Sequence, residues 1–360
     1  MKTVLITGQT GQLGRELALL VPAQGRFRCI FADRQLLPLD DEAALEDALA
    51  GLPPVDYCLH AAAYTAVDKA EQEEELAFRV NELSTAVLAR WCEQQGAAML
   101  YVSSDYVYHN AENRPLREED ACTPRGVYAR SKYAGERAAL EFCSRSIIVR
   151  TSWVYSSHGQ NFVKTMLRLA AERSALNIVA DQIGTPTYAA DLAQALMQML
   201  QSIDEQGGTA NYNRFGEVYN YSNEGACSWY DFAESIFDER RLACQAQPIR
   251  SEQYPTPAQR PAYSLLDKQK IKSHFALSIA HWRDALRRCL RLLPLLLMLF
   301  LLVPEQAAAQ KKWRRLTTTM QQHQQPFFFY SWLQRSDTTL SARAQTGDQL
   351  QIQYTLSRLK

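Results

Sequence analysis

The sequence has no excess of either charge: Lys+Arg and Asp+Glu both number 39 in 360 residues. A balanced chain lacks the electrostatic footprint of a nucleic-acid binder, so no nucleic-acid partner is expected. It also lacks the N-terminal layout of a secretory signal, because Met1-Lys2 runs directly into an apolar strand-like segment. The eight cysteines, at 29, 58, 92, 122, 143, 227, 244 and 289, form no C-x-x-C pair. No His/Cys group has zinc spacing. These cysteines read as reduced thiols in the core of a cytoplasmic enzyme. A run of eighteen apolar residues is missing as well, so no helix long enough to span a bilayer is expected.

What is present begins at once. Residues 3–7 (TVLIT) form a short, continuous apolar run, the pattern of a strand buried on both faces. It leads into Gly8, Gly11 and Gly14, and residues 15–21 then read as a helix. Strand, glycine turn and helix in that order is the context a dinucleotide fingerprint requires. Gly8 and Gly11 permit a tight turn and close approach of a pyrophosphate to backbone N–H groups. Gly14 permits close packing of helix on strand, and the helix N-terminus favours the anion. The spacing is G-x-x-G-x-x-G, and an ordinary glycine-rich turn is the other reading.

A second strand over 27–32 ends at Asp33-Arg34. An acid there suits a ribose 2′-hydroxyl and an arginine a 2′-phosphate, so NADH and NADPH both remain open. Asp40 and Asp41 follow, placed either beside an adenine or as the cap of a helix over 42–50. A third strand over 55–60 ends in Ala61-Ala62-Ala63-Tyr64-Thr65, small residues that let a cofactor lie against the backbone. A charged helical stretch over 67–75 contains Asp68, and Asn81 precedes a helix read over 82–95. Residues 99–102 form the next strand, which delivers Ser103-Ser104-Asp105-Tyr106.

Tyr128 and Lys132 lie four residues apart at the start of a helix read over 128–142. That spacing stacks phenol and ammonium on one face, and a nearby cation lowers a phenol's pKa. With a hydroxyl from Ser104, the group suits proton delivery to a ketone as hydride arrives. A solvated helix surface is the alternative reading of Y-x-x-x-K. In the second half, 147–150 reads as a strand, 161–172 as a helix, 177–180 as a strand and 181–187 as a turn-rich loop. Helices are read over 191–201 and 228–237, the latter capped by Ser228, and a strand over 218–222. Pro255, Pro257 and Pro261 break the chain around Arg260, whose guanidinium suits a diphosphate.

The glycine motif, Ala61–Ala63, Asn81, the serine segment 103–105 and the Tyr128/Lys132 pair together resemble the extended short-chain dehydrogenase/reductases. RTSWVY (150–155), DQIGTPT (181–187) and RPAYSLLD (260–267) narrow the resemblance to the dTDP-4-dehydrorhamnose reductase family, over residues 1–292. It implies a doubly wound parallel α/β (Rossmann) nucleotide domain at 1–150, which also uses parts of 151–220. A smaller α/β substrate lobe is then expected at 151–292. The implied reaction is NAD(P)H-dependent reduction of dTDP-4-dehydro-L-rhamnose to dTDP-L-rhamnose. Tyr128 is then the general acid and Lys132 its partner and ribose ligand. Ser104 stands where the family often has threonine. Gly8, Gln12 and Leu13 would meet the pyrophosphate; Ala62, Ala63 and Thr65 the neighbouring cofactor groups. Trp153 would pack against the sugar, with Asp68, Asp105, Tyr106, Gln182 and Arg260 as further substrate residues. Glu16 and Asp191 match two acids that hold Mg²⁺ at a dimer interface in some members, and a homodimer is expected. A non-catalytic NADP-binding regulatory subunit and another nucleotide-sugar reductase or epimerase are the rival readings.

The resemblance stops after Leu292. Residues 292–303 (LLPLLLMLFLLV) follow a basic flank and precede small residues, the layout of a signal peptide placed inside the chain. The tail 293–360 is read as the product of a second reading frame fused to the enzyme, with low order expected around 304–325 and a strand-like segment at 349–356. An amphipathic membrane anchor or an oligomer contact is the rival.

Overall fold

Val4, Leu5 and Ile6 are all fully buried, because strand β1 (Thr3–Thr7) has helices on both faces and no solvent side. The computed structural model describes residues 1–109 and 113–293, and beyond them the strands Arg335–Ser336 and Thr339–Leu340. The chain divides into two units, Met1–Pro294 and Leu295–Lys360. In the second, the two short strands pair antiparallel. The expectations for 304–325 and 349–356, and for the apolar run past Leu293, fall outside the described residues. Among the described residues no helix is long and apolar enough to cross a membrane.

In the first unit β1 is joined by β2 (Arg28–Ala32), β3 (Tyr57–His60), β4 (Ala98–Ser104), β5 (Ser146–Thr151) and the strand Val218–Tyr221. All six run parallel in the order Val218–Tyr221, β5, β4, β3, β1, β2. The connection reverses between β1 and β3, and at such a point a crevice opens at the carboxyl ends of the strands. The register brings those ends level: Thr7 pairs with Ala32 and His60, and Ser104 with Thr151. One face is covered by α1 (Gln12–Gln24) and the helix Ala189–Glu205, whose Leu192, Leu196 and Leu200 are fully buried. The other face carries the helices Glu42–Ala50, Ser84–Gln95 and Val127–Phe142. A separate apolar cluster joins the helices Phe162–Glu172, Trp229–Arg240 and Trp282–Leu292 to the parallel pair Ala175–Val179 and Gln245–Ile249.

Several capping signals act as their chemistry requires. Asp41 accepts from the Ala44 amide, Asn161 from Lys164, and Ser228 forms a capping box with Asp231. Asn81 departs from expectation. It lies inside a π-helical turn, Arg79–Leu83, between the helices Glu74–Phe78 and Ser84–Gln95. Its side chain is taken up by tertiary partners: Oδ1 accepts from the Tyr64 amide at 2.8 Å, and Nδ2 donates to Tyr64 O and Ser131 Oγ. The stretch 67–75 is likewise two helices, Val67–Ala70 and the one starting at Glu74. The loop 181–187 contains short strands, Ile183–Gly184 paired with Cys227–Ser228 and Thr187–Tyr188 paired with Val154–Tyr155. All eight cysteines are free and six of them buried.

The helix that carries Tyr128 is held to the sheet by a buried ion pair. Arg150 on β5 donates to both oxygens of Glu136, at 2.6 Å from Nη2 and 2.9 Å from Nε, and to the Tyr108 hydroxyl at 2.6 Å. Both side chains are nearly inaccessible, at 4% and 2% exposure. Removing one partner would strand the other charge. Glu136→Ala is therefore expected to lower unfolding stability by about 3–5 kcal/mol, read by urea denaturation. A loss below about 1 kcal/mol would show that water reaches Arg150.

Candidate active site

A cleft of about 900 Å³ lies over the carboxyl ends of the strands. The glycine loop forms its floor. Gly8 has φ +80°, and a Cβ there would stand 2.9 Å from the Ala62 backbone. A Cβ on Gly14 would stand 2.1 Å from Gly8 O, so β1 and α1 approach too closely for any side chain. Gly11 is the N-cap of α1 and offers no side-chain cap. Its first amides have no intrahelical acceptor and no capping side chain, and so suit an anion. Gly8, Gly11, Gln12, Leu13, Gly14, Asp33, Arg34, Ala62, Ala63 and Thr65 all line the cleft. Asp40 does not. It is paired with Arg34 at 3.2 Å, while Asp41 takes the capping role. Asp33 uses one carboxylate oxygen to hold the amides of Gln35 and Leu36, and Arg34 is 72% exposed at the rim. The Gln12 side chain spans the cleft rather than facing only the loop. It donates to Val154 O and accepts from Asn161 Nδ2 at 2.8 Å.

Ser104, Asp105, Tyr106, Tyr128, Lys132 and Trp153 line the same cleft. β4 ends at Ser104, whose hydroxyl accepts from the Tyr106 amide and donates to Asp105 Oδ1. Tyr106 meets Tyr128 edge to face, with centroids 5.6 Å apart. Burial pushes the Tyr128 phenol up to about 12; the Ser104 hydroxyl pulls it down and Asp105 up. This corrects the expectation that Lys132 lowers it. The Lys132 ammonium donates to Val102 O at 2.9 Å and lies 4.0 Å above the Tyr101 ring. Burial brings Lys132 itself down to about 7, with Glu136 pulling it up. Tyr128 thus keeps its proton at neutral pH, which is the state an acid needs.

Three sequence-derived substrate residues lie outside the cleft lining. Asp68 and Arg260 form a two-pronged ion pair, at 3.0 and 2.7 Å, and Gln182 donates to Ser251 Oγ. Trp153, at φ +45°, stacks on Trp229 with centroids 3.6 Å apart. Glu16 and Asp191 do not fit a Mg²⁺ site within the chain. Glu16 accepts from Ser156 Oγ at 2.6 Å. Both oxygens of Asp191 are held by Arg288 at 2.7 Å, and one also by Asn223. Among the described residues no three acids, histidines or cysteines gather as a metal would require. Sequence reasoning missed Asn161, Phe162 and Trp229 as cleft residues. Helix capping flags Asn161, but nothing local shows that the helices Phe162–Glu172 and Trp229–Arg240 begin at the cleft.

Asp105 is buried with Oδ2 unpartnered. Burial raises its carboxyl from 3.8 to about 7, against pulls downward from Ser264 and Ser104. The folded state thus holds a proton that the unfolded state releases, and stability falls as pH rises through that interval. Asp105→Asn is expected to melt at a higher temperature than the parent. The gap should widen between about pH 4 and 7 and stay constant above, as read by thermal melts. A constant gap across that interval would show that Asp105 ionises normally.

Residues 1–294 match the family model described as the RmlD substrate binding domain. A dTDP-4-dehydrorhamnose reductase from Aggregatibacter actinomycetemcomitans is 40% identical over 293 residues, covering 80% of this chain and 98% of its own. One from Mycobacterium tuberculosis is 38% identical, covering 80% and 92%. The solved dTDP-4-dehydrorhamnose reductase of Clostridium acetobutylicum superposes with a TM-score of 0.74 at 32% identity, covering 81% of this chain and 99% of its own. That of Bacillus anthracis, solved in complex with NADP, gives 0.73 at 33% identity with the same coverage. By sequence and by fold, the chain belongs to the dTDP-4-dehydrorhamnose reductase family.

Proposed function

We propose that this chain reduces the C4 carbonyl of dTDP-4-dehydro-L-rhamnose to give dTDP-L-rhamnose, a rhamnose donor for cell-surface polysaccharide. The observation that carries the reading is Tyr128 beside Ser104, in one cleft with the uncapped start of α1. The close backbone approach at Gly8 and Ala62 suits NADPH or NADH, whose dihydronicotinamide supplies the hydride when bound. Tyr128 holds the proton at Oη, and the Ser104 hydroxyl orients the carbonyl oxygen that receives it. Lys132, one turn further along the helix, supplies a ligand for the cofactor ribose. Trp153 and Trp229 present a flat apolar wall to the sugar nucleotide, and Asp105 and Tyr106 its polar side.

Arg260 meets the diphosphate once it parts from Asp68, and Gln182 belongs to the same lobe. The sheet serves as the nucleotide lobe and residues after β5, apart from Val218–Tyr221 and the helix Ala189–Glu205, supply the substrate lobe. The eight free thiols suit the cytoplasm, and the resemblance extends to a homodimer, which sedimentation checks. Leu293 is buried and its carbonyl accepts from Arg240, so the catalytic unit needs residues up to Leu293. The tail beyond is read as dispensable.

Oxidation of NADPH or NADH by dTDP-4-dehydrorhamnose, followed by absorbance, tests the reading on the full chain and on a chain ending at Pro294. Both are expected to turn over. Cofactor binding without turnover would favour a regulatory subunit. Tyr128→Phe is expected to reduce kcat by ~10²–10⁴ while cofactor binding persists; unchanged turnover would remove Tyr128 from the mechanism. Arg260→Met is expected to raise KM for the nucleotide sugar by roughly tenfold or more, with cofactor KM unaltered, for loss of a charge-assisted contact. Equal substrate KM would leave Arg260 as a partner of Asp68 alone.

A further inference from the structure

His60 ends β3 beneath the cleft and is wholly inaccessible, as is Thr85; Thr7 is 1% exposed. Thr7 Oγ1 accepts from the amides of Ala61 and Ala62, at 3.2 and 3.1 Å. A hydroxyl has two acceptor positions and one proton. With both acceptor positions filled, the Thr7 proton must go to its remaining neighbour, His60 Nδ1 at 2.7 Å. Nδ1 therefore carries no proton, and the ring's single N–H is on Nε2, which faces Thr85 Oγ1 at 3.2 Å. Thr85 in turn donates to Asn81 O at 2.8 Å. Asn81 Nδ2 donates to Ser131 Oγ, and Ser131 Oγ donates to Tyr128 O at 2.9 Å. Direction runs without a break from β1 through His60 to Asn81. That residue then grips the first turn of the helix that carries Tyr128.

We propose that His60, as the Nε2–H tautomer, is a positioning residue that fixes the Ala61–Ala62 backbone under the cofactor cleft and ties it through Thr85 and Asn81 to the turn bearing Tyr128. A shift of Ala62 is felt at Gly8, where even a Cβ would stand only 2.9 Å from the Ala62 backbone. A second ring proton would meet the Thr7 hydroxyl proton head on, so the arrangement demands a neutral ring. Burial and the nearby Lys132 both push the imidazole that way, down to about 3.

The inference rests on the cleft being a nicotinamide dinucleotide site, which quenching of tryptophan fluorescence by NADPH tests separately on the parent chain. For the network itself, ¹⁵N-histidine NMR of the full chain at neutral pH is expected to show one ring protonated at Nε2 and bare at Nδ1. The resonance is assigned by its loss in His60→Asn. In steady-state assays His60→Leu and Thr7→Val are expected to raise the KM for NADPH by about tenfold, the cost of an unpaired buried polar group, with a smaller fall in kcat. His60→Asn is expected to recover most of that KM, because Oδ1 can accept the Thr7 proton where Nδ1 did. A proton on Nδ1 would overturn the proposal whatever the kinetics. So would an unchanged NADPH KM in Thr7→Val, or Asn performing no better than Leu at position 60. If His60→Leu does not fold, the NMR of the parent and the Thr7→Val assay still decide.

Discussion

A lysine ammonium without solvent is held at the heart of this protein. Lys132 is 1% exposed, and its ammonium donates to the Val102 carbonyl, with the Tyr101 ring beneath it. Burying that charge is unfavourable unless the surroundings answer it. Here a strand carbonyl, the π-face of a tyrosine and the nearby Glu136 carboxylate do so. The carbonyl and the ring both come from β4, which has to be in register with the helix for those contacts to exist, while Glu136 lies one turn along the same helix. The helix Val127–Phe142 is therefore fixed against β4 along its length, with Arg150 and Glu136 closing the other end. Tyr128 and Ser104 meet at the cleft as a consequence.

The same logic explains why several acids are not free. Asp191 is held by Arg288 on the helix Trp282–Leu292, and Asp68 by Arg260 from a loop far along the chain. These pairs join segments separated by 97 and 192 residues. Asp191 sits 10% exposed and Asp68 43%, so the first is a structural tie while the second lies within reach of solvent and of an incoming anion. Gln12 and Asn161 make a neutral contact between the glycine loop and the start of the helix Phe162–Glu172. Such a bond orders the mouth of the cleft without placing a competing charge beside the anion-binding start of α1.

Much of this was legible locally. The continuous apolar runs of β1 and β4 mark strands buried on two faces, and the spacing of Gly8, Gly11 and Gly14 marks a close strand-to-helix turn. Asp41, Asn161 and Ser228 mark helix starts, and four-residue spacing puts Tyr128 and Lys132 on one face. These signals depend on neighbours in sequence, so they survive without knowledge of the fold. Other residues have partners that no local pattern shows. Asp40 pairs with an arginine, Arg260 is met by Asp68, and Asn81 spends its side chain on Tyr64 and Ser131.

Local patterns alone specify a parallel α/β unit with a glycine turn at its first crossover, and a phenol, a lysine and a serine hydroxyl carried on neighbouring elements. Hydrophobic periodicity, backbone sterics and helix spacing act over a few residues and leave little choice. The protonation of that site is instead a product of long-range packing. Whether Tyr128 keeps its proton, Lys132 is depressed toward neutrality or His60 stays uncharged depends on how far water is excluded and which dipoles face each group. Those quantities are set by segments distant in the chain, and no local pattern encodes them.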